Sequence, residues 1–379
     1  MSEEIPTNGT TVSQTVSQNA VDVAIVGAGL SGLICGRSLR QQGYRTLILE
    51  KSRGLGGRLA TRRIETATVD HGVRYLENQG PHTQNLIEQM TALGVTVPAA
   101  APVAIAQAGD QSLGQMSQQP ILQEPVYVAP QGMTAIAKAL AANLTVHRQH
   151  RVERIAPQSD CWCLQMSGAE HLRTATARAV VLAIPAPQVV QLLQPLVSDL
   201  ENDLGDEIES LLQAASAVEF APCFSVMVGY PNGKGLDQLG GQPGGQLGLL
   251  FSNAQIGHDL RWIGFEGQKR TLLNGVVVLQ SSTVFAQQAL DRLSLDQVTE
   301  RLLTAAQRLP QIAALGEPQW TQTHRWRYGF CHRPHPQSCL NALAPLPLVC
   351  CGDWCGGSTL EQAIQSGLSA AQAIATALG

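Results

Sequence analysis

Apolar positions along this chain follow two rhythms, and the alternation between them predicts the elements. Val23-Ala24-Ile25-Val26 is a short β-branched run that reads as a buried strand, and Thr46-Leu47-Ile48-Leu49 reads as a second. Between them a glycine turn, Gly27-Ala28-Gly29-Leu30-Ser31-Gly32, opens a helical stretch. A helical period covers 81–94, whereas 99–119 is rich in Ala, Gln and Gly without a period and reads as peripheral loop and strand. An apolar helix over 135–142 leads into strands at 144–147 and 151–155, and Ala179 to Ile184 is a buried-type strand stopped by Pro185, with a new segment from Pro187. Helical stretches at 200–215 and 286–308 surround strands at 224–228, 248–251 and 276–280, and the glycine-rich 229–248 reads as a flexible hairpin or loop. Thr323 to Tyr328 is strand-like, Leu346 to Cys351 is a strand, and Gly356-Gly357-Ser358-Thr359-Leu360-Glu361 opens a helix running to about Leu378.

The first strand, turn, helix and second strand stand in the order of a dinucleotide-binding unit. Gly27 permits the tight turn, Gly29 lets the backbone approach a pyrophosphate, and Gly32 lets the helix lie close on the sheet, because none carries a Cβ. The helix N-terminus then favours the phosphates, with Ser31 adding a hydroxyl donor. Glu50 follows Gly32 by 18 positions (50 − 32), near the roughly 20 expected of the acid that accepts from a ribose hydroxyl. Its charge repels a ribose 2′-phosphate. The competing reading is a glycine-rich turn in an ordinary α/β domain.

Composition narrows the setting. The 379 residues support two modest domains, and 44% hydrophobic with 14% charged residues suits a well-buried enzyme rather than a disordered chain. A net charge of −4 without a long basic run gives no electrostatic case for nucleic acid. The local patch of Lys51, Arg53, Arg58, Arg62 and Arg63 follows the nucleotide unit directly, so phosphate neutralisation explains it, with a solvated face as the alternative. No apolar run is long enough to span a bilayer, and the polar 1–20 segment reads as a flexible tail without a signal-peptide pattern, so a soluble, cytoplasmic protein is expected. The nine cysteines, mostly in apolar contexts, read as reduced core thiols. Cys331, His332, His335 and Cys339 match no zinc spacing, and Pro334 and Pro336 argue for an irregular loop there, so no metal is expected.

Candidate chemistry clusters in three later stretches. Arg53-Gly54-Leu55-Gly56-Gly57-Arg58 is a second glycine loop whose N–H groups and arginine can reach a phosphate or a flavin ring. Asp70-His71-Gly72 is either a turn held by local hydrogen bonds or a segment beside a reacting ring. Trp326 and Tyr328 share a strand face by the period of two and can either wall a flat heterocycle or fill core. Asp353, at the end of the late strand, can accept from a ribityl chain, and N–H groups near Thr359 and Leu360 can stabilise negative charge on a reduced flavin, unless Asp353 merely caps a helix. A nucleotide fingerprint at one end and a strand–Gly-Asp–helix unit at the other favour FAD over NAD, since FAD must be held at both ends.

The stretches ILEKSRGLGGRLATRR, DHGVRY, GMTAIAKAL, VVLAIPAPQ, HRWRY and GDWCGGSTLEQAIQSG resemble the FAD-dependent amine oxidase superfamily and, within it, the renalase-like proteins. The resemblance implies an α/β fold with a Rossmann-like FAD-binding domain of the p-hydroxybenzoate hydroxylase type and an α+β substrate domain. It places the FAD-binding parts at 21–80, 144–190 and 340–379 and the substrate domain at 81–143 and 191–339. It also implies non-covalent FAD held by Gly27, Gly29, Ser31, Gly32, Glu50, Lys51, Gly57, Arg58, Gly72, Val73, Arg74, Val152, Asp353, Thr359 and Leu360. Where the family often has Ala-Gln after the glycine of the DHG stretch, this chain has Val73-Arg74, so Arg74 can pair with phosphate or face solvent. The implied reaction oxidises 2- or 6-dihydro isomers of NAD(P)H by hydride transfer to flavin N5, with oxygen reduced to hydrogen peroxide and Trp326 and Tyr328 positioning the substrate. The rivals are a conventional amine oxidase and a non-catalytic FAD-binding redox sensor.

Overall fold

A computed structural model of the chain describes residues 20–106, 125–168, 173–197, 203–231, 247–251, 259–270 and 275–379. The tail expected over 1–20 lies outside them up to residue 19, as do 107–119 of the aperiodic stretch and 232–246 of the glycine-rich one.

Two sheets organise this mixed α/β fold. The first has eight strands, with Leu340–Ala342, Leu348–Cys350, Thr174–Leu182, Ala20–Val26, Thr46–Glu50 and Val146–Arg148 side by side. Its central pairs are parallel, with Val23 opposite Ala179 and Thr46, and it carries an antiparallel extension through Cys161–Gly168 and His150–Gln158. Parallel strands must be covered on both faces, which is why 23–26, 47–49 and 179–182 are apolar throughout rather than alternating. Ala24, Val26, Leu47 and Leu49 enter one core, and Val23, Ile25 and Ile48 enter the core on the opposite face.

The helices Leu30–Gln41, Pro81–Ala92, Thr134–Leu140 and Leu360–Leu378 supply the second of these cores through residues such as Leu33, Leu86, Ile136 and Ile374. Ala186–Val197 and Asp203–Ser216 cover the other face through Val189, Leu193 and Ile208. Pro81–Ala92, Thr134–Leu140 and Asp203–Ser216, which lie in the stretches expected for the substrate domain, thus pack on the eight-stranded sheet. Amphipathic helices join whichever sheet face needs cover, and chain order alone does not say which.

The second sheet runs Trp320–Arg333, Glu219–Gly229, Val276–Ser281, Leu260–Phe265, Gly248–Phe251 and Val103–Ala106. Phe224, Val226, Val228, Val277 and Leu279 pack beneath the helices Thr283–Ala289 and Leu295–Ala306. The single helical stretch expected over 286–308 is two helices. Asp291 has φ 63° between them, and Ser294 starts the second with a capping box to Gln297. The strand expected at 323–328 extends to Arg333, so Cys331 and His332 lie in strand rather than in the loop that Pro334 and Pro336 suggested. Strands Cys161–Gly168, Leu260–Phe265 and Leu340–Ala342 were not legible as elements. No described helix is long and apolar enough to cross a membrane.

Candidate active site

At the nucleotide end, the helix Leu30–Gln41 begins at Gly29 without a capping side chain, so its first N–H groups have no side-chain acceptor. A Cβ on Gly29 would meet nothing within 4 Å, so the missing side chain leaves open space above that terminus. Gly27 makes the turn at φ +105°, where a Cβ would also stand 2.5 Å from the Ala183 carbonyl oxygen. Gly32 touches the turn closely, its Cβ position lying 2.2 Å from the Gly27 oxygen, and Ser31 is buried beside it. The carboxylate of Glu50 is fixed from both sides, accepting from Ala28 N–H at 2.9 Å and Ser52 N–H at 2.8 Å. Gly56 N–H donates to the Ala28 carbonyl at 2.8 Å, which brings the second glycine loop, with Gly57 at φ +56°, against the first.

Arg58 leaves that loop for the other end of the site. Its guanidinium holds Asp353 bidentately, at 2.6 and 2.5 Å, and donates to the Gly329 carbonyl at 3.3 Å. Burial alone would lower the Arg58 pKa, but the Asp353 carboxylate outweighs it and raises it. One ion pair thus ties the second glycine loop to the last strand–helix turn and to the six-stranded sheet.

The stretch 70–75 lies across the open face of that sheet and is fastened at each step. Trp326 Nε1–H donates to the His71 carbonyl at 3.0 Å, and Gln280 Nε2–H donates to the Gly72 carbonyl at 2.9 Å. Val73 N–H donates to the Arg58 carbonyl at 2.9 Å. Arg74 Nε–H donates to Gln280 Oε1 at 2.7 Å while its guanidinium lies 4.7 Å above the Trp262 ring. The His71 imidazole stacks on Trp326 at 5.4 Å, and His324 stands edge-on to both rings. Burial first, then His324 and Arg62, pushes the His71 pKa down to about 3, and burial with Arg62 pushes His324 to about 4. Both are neutral at neutral pH. His71 Nδ1 and Ser225 Oγ are buried there without a hydrogen-bond partner among the described residues.

Asp70 is structural. It forms a buried four-charge cluster with Glu266, Lys269 and Arg270, where Lys269 Nζ lies 2.7 Å from Glu266 and Arg270 lies 2.5 Å from Asp70 and also pairs with Glu266. Thr61 Oγ1–H and Met133 N–H donate to the same carboxylate. Burial would raise the Asp70 pKa, but Lys269 and Arg270 hold it below the usual carboxylate range.

The remaining expected residues are spread more widely. Lys51 reaches Gln188 at 3.3 Å on the surface, and Val152 sits in the strand His150–Gln158 against the core. Thr359 starts the last helix and bonds Gln362, while the Leu360 N–H, expected to face a flavin, donates to Gln79 Oε1 at 3.1 Å. Gln79 was signalled by no motif, and Glu361, which accepts from the His82 and Thr83 N–H groups, lay in the terminal GDWCGGSTLEQAIQSG stretch without a role being assigned to it. Trp326 and Tyr328 do not share an uninterrupted face, because the pairing shifts register between Ala221 and Cys223; Tyr328 lies edge-on to Phe220 at 5.7 Å. Both are half-buried. His332 pairs with Glu219 at 2.9 Å, and no described group of three or more His, Cys, Asp or Glu side chains could hold a metal ion.

These residues fit FAD: an uncapped helix N-terminus over open space for a pyrophosphate, a fixed carboxylate for a ribose, and two orphaned polar atoms at the ring end. Comparison with known proteins agrees. Residues 25–90 match the NAD(P)-binding Rossmann-like domain, and residues 108–375 match the family of flavin containing amine oxidoreductases. A Mycobacterium tuberculosis protein named as a flavin-containing monoamine oxidase is 36% identical over 75 residues, which cover 20% of this chain and only 16% of that protein. Nicotine dehydrogenase of Pseudomonas putida is 39% identical over 61 residues, covering 16% of this chain and 13% of that protein. Cyclohexylamine oxidase from Brevibacterium oxydans superposes with a TM-score of 0.64 at 17% identity, over 94% of this chain and 99% of that one. A putrescine oxidase bound to putrescine gives 0.64 at 14%, over 94% and 99%. At these identities the structural likeness concerns the fold.

Proposed function

Since the chain belongs to the flavin containing amine oxidoreductases, with FAD as the cofactor of that family, we propose that it is an oxidase of 2- or 6-dihydro isomers of NAD(P)H. When bound, FAD supplies the two-electron acceptor that takes hydride from the substrate and passes the electrons to dioxygen, giving hydrogen peroxide.

The supporting observation is that no free general base stands at the ring end among the described residues. His71 and His324, with pKa values near 3 and 4, carry no charge at neutral pH, and the adjacent carboxylates are engaged, Asp70 by Lys269 and Arg270 and Asp353 by Arg58. A substrate that becomes aromatic on losing hydride needs no general base, so alignment is the main task left to the protein. Trp326, stacked on His71 and anchored through its indole N–H, is fixed to present an aromatic wall, and Tyr328 borders it. Gly29, Ser31, Gly32 and Glu50 bind the nucleotide half, Lys51 and Val152 border it, and Gly57, Arg58, Gly72, Val73, Asp353 and Thr359 hold the cofactor's middle and ring end. Gln79 replaces a direct role for the Leu360 N–H.

A second reading, oxidation of an amine, draws support from the names of the relatives. Anaerobic mixing of the FAD-loaded protein with dihydronicotinamide isomers and with a panel of amines separates the two. Flavin bleaching by the isomers alone is the expected outcome, and bleaching by amines alone would replace the first reading with the second.

A further inference from the structure

Arg74 has a local environment that its fold alone does not explain. Its Nε–H is used by Gln280 and its guanidinium plane rests on Trp262, yet among the described residues no carboxylate forms an ion pair with it. Glu77, a nearby acid, instead accepts from Gln79 Nε2–H at 2.7 Å, and Arg261 adds a like charge to the neighbourhood. Burial, the largest cause, lowers the Arg74 pKa to about 10, which still leaves the group charged at neutral pH. A desolvated cation without an ion-pair partner, compensated only at a distance by Glu77, is costly, and a matching anion removes that cost.

Its surroundings point to the substrate side. Gln280 and Trp262 belong to the six-stranded sheet, on the face opposite the helices Thr283–Ala289 and Leu295–Ala306. Ser225 is the register partner of Gln280 and directs its side chain to the same face, where its hydroxyl is fully buried and unpartnered. The Arg74 guanidinium, laid on Gln280 and Trp262, and the orphaned Ser225 hydroxyl therefore lie on the same side of the sheet.

We propose that Arg74 anchors the substrate through an oxyanion, its outer guanidinium nitrogens receiving a carboxylate or phosphate oxygen, so that the enzyme takes anionic substrates in preference to simple amines. This rests on the reading of the ring end as the substrate site. A planar guanidinium held on an indole face is preorganised for such a two-point contact, and Lys reproduces the charge but not the fork.

The test uses the FAD-loaded protein and three probes: benzoate for a carboxylate, inorganic phosphate for a phosphate, and benzylamine as a cation of similar shape to benzoate. Binding is read from the flavin visible spectrum and from the melting temperature. Saturable binding of benzoate or phosphate, with benzylamine weaker, is expected in the wild type, and which anion binds tighter identifies the source of the oxyanion. Arg74→Gln should weaken anion binding about tenfold or more, and Arg74→Lys should recover part of it. Benzylamine binding as tightly as both anions overturns the proposal without any variant. Equal anion binding by wild type and Arg74→Gln overturns it as well, and loss of FAD from Arg74→Gln would make Arg74 a cofactor contact instead. Failure of dihydronicotinamides to bleach the flavin contradicts only the proposed function, because the binding arms do not depend on turnover.

Discussion

At the scale of single residues, two groups carry separable predictions. Glu50 is locked by the N–H groups of Ala28 and Ser52, so its carboxylate is presented in one place. Glu50→Ala removes those bonds and the ribose acceptor together, and FAD dissociation is expected to rise by roughly tenfold or more; retention on ultrafiltration equal to wild type would contradict that role. His71 and His324 are neutral when folded, near 3 and 4, against an ordinary value of 6.5. Between 6.5 and those values the unfolded chain binds protons that the folded chain refuses, so stability falls as pH drops through that window. The melting temperature of His324→Gln should decline less than that of the wild type from pH 6.5 to 5. A parallel decline would mean that His324 titrates normally. The glycines, Glu50 and Asp353 were legible because backbone turns and strand-end acids sit at fixed spacing along one chain. His324 as a neighbour of His71 was not, since 253 positions separate them (324 − 71) and only the sheet brings them to 5.0 Å.

At the scale of elements, the site depends on how closely the first and last helices approach. A Cβ on Gly367 would stand 2.4 Å from the Ser31 carbonyl oxygen and 3.2 Å from Ile34 Cβ, so the helices Leu30–Gln41 and Leu360–Leu378 meet backbone to backbone there. Gly367→Ala must push them apart, at a cost of about 1–3 kcal/mol. Thermal melting with and without FAD should show both a lower midpoint and a smaller FAD-induced increase, and an unchanged midpoint would mean the contact is slack. Strand and helix order was readable from apolar rhythm, and so was the buried character of residues 23–26 and 46–49. The break at 290–294 was hidden because Asp291 in a left-handed turn and the Ser294 capping box interrupt an otherwise continuous helical pattern. Partnership between sheets was hidden for a different reason: Pro81–Ala92 and Asp203–Ser216 carry ordinary amphipathic stripes that fit either sheet.

At the scale of the whole molecule, Asp70, at the end of a two-stranded sheet formed by Thr61–Ile64 and Ala67–Asp70, is joined to Glu266, Lys269 and Arg270 beside the six-stranded sheet, with side-chain exposures of 0, 1, 2 and 6%. A buried network of this kind is worth little against an apolar replacement but much against removal of one member. Arg270→Met strands Asp70 and Glu266 with Lys269 alone, so a loss of about 3–5 kcal/mol is expected in denaturant unfolding. A loss below about 1 kcal/mol would show that solvent already reaches the cluster. No motif announced this network, because its members are ordinary charged residues nearly 200 positions apart.

The interleaved order of the first sheet also has a consequence for synthesis. Thr174–Leu182 stands between Ala20–Val26, from the start of the chain, and Leu348–Cys350, from near its end. Asp353 and the final helix follow later still. On the ribosome the glycine turn emerges hundreds of residues before the acid and helix that close the cofactor's other end. A chain terminated before Asp353 keeps the glycine turn but lacks the acid and helix opposite it, so it is expected not to retain FAD.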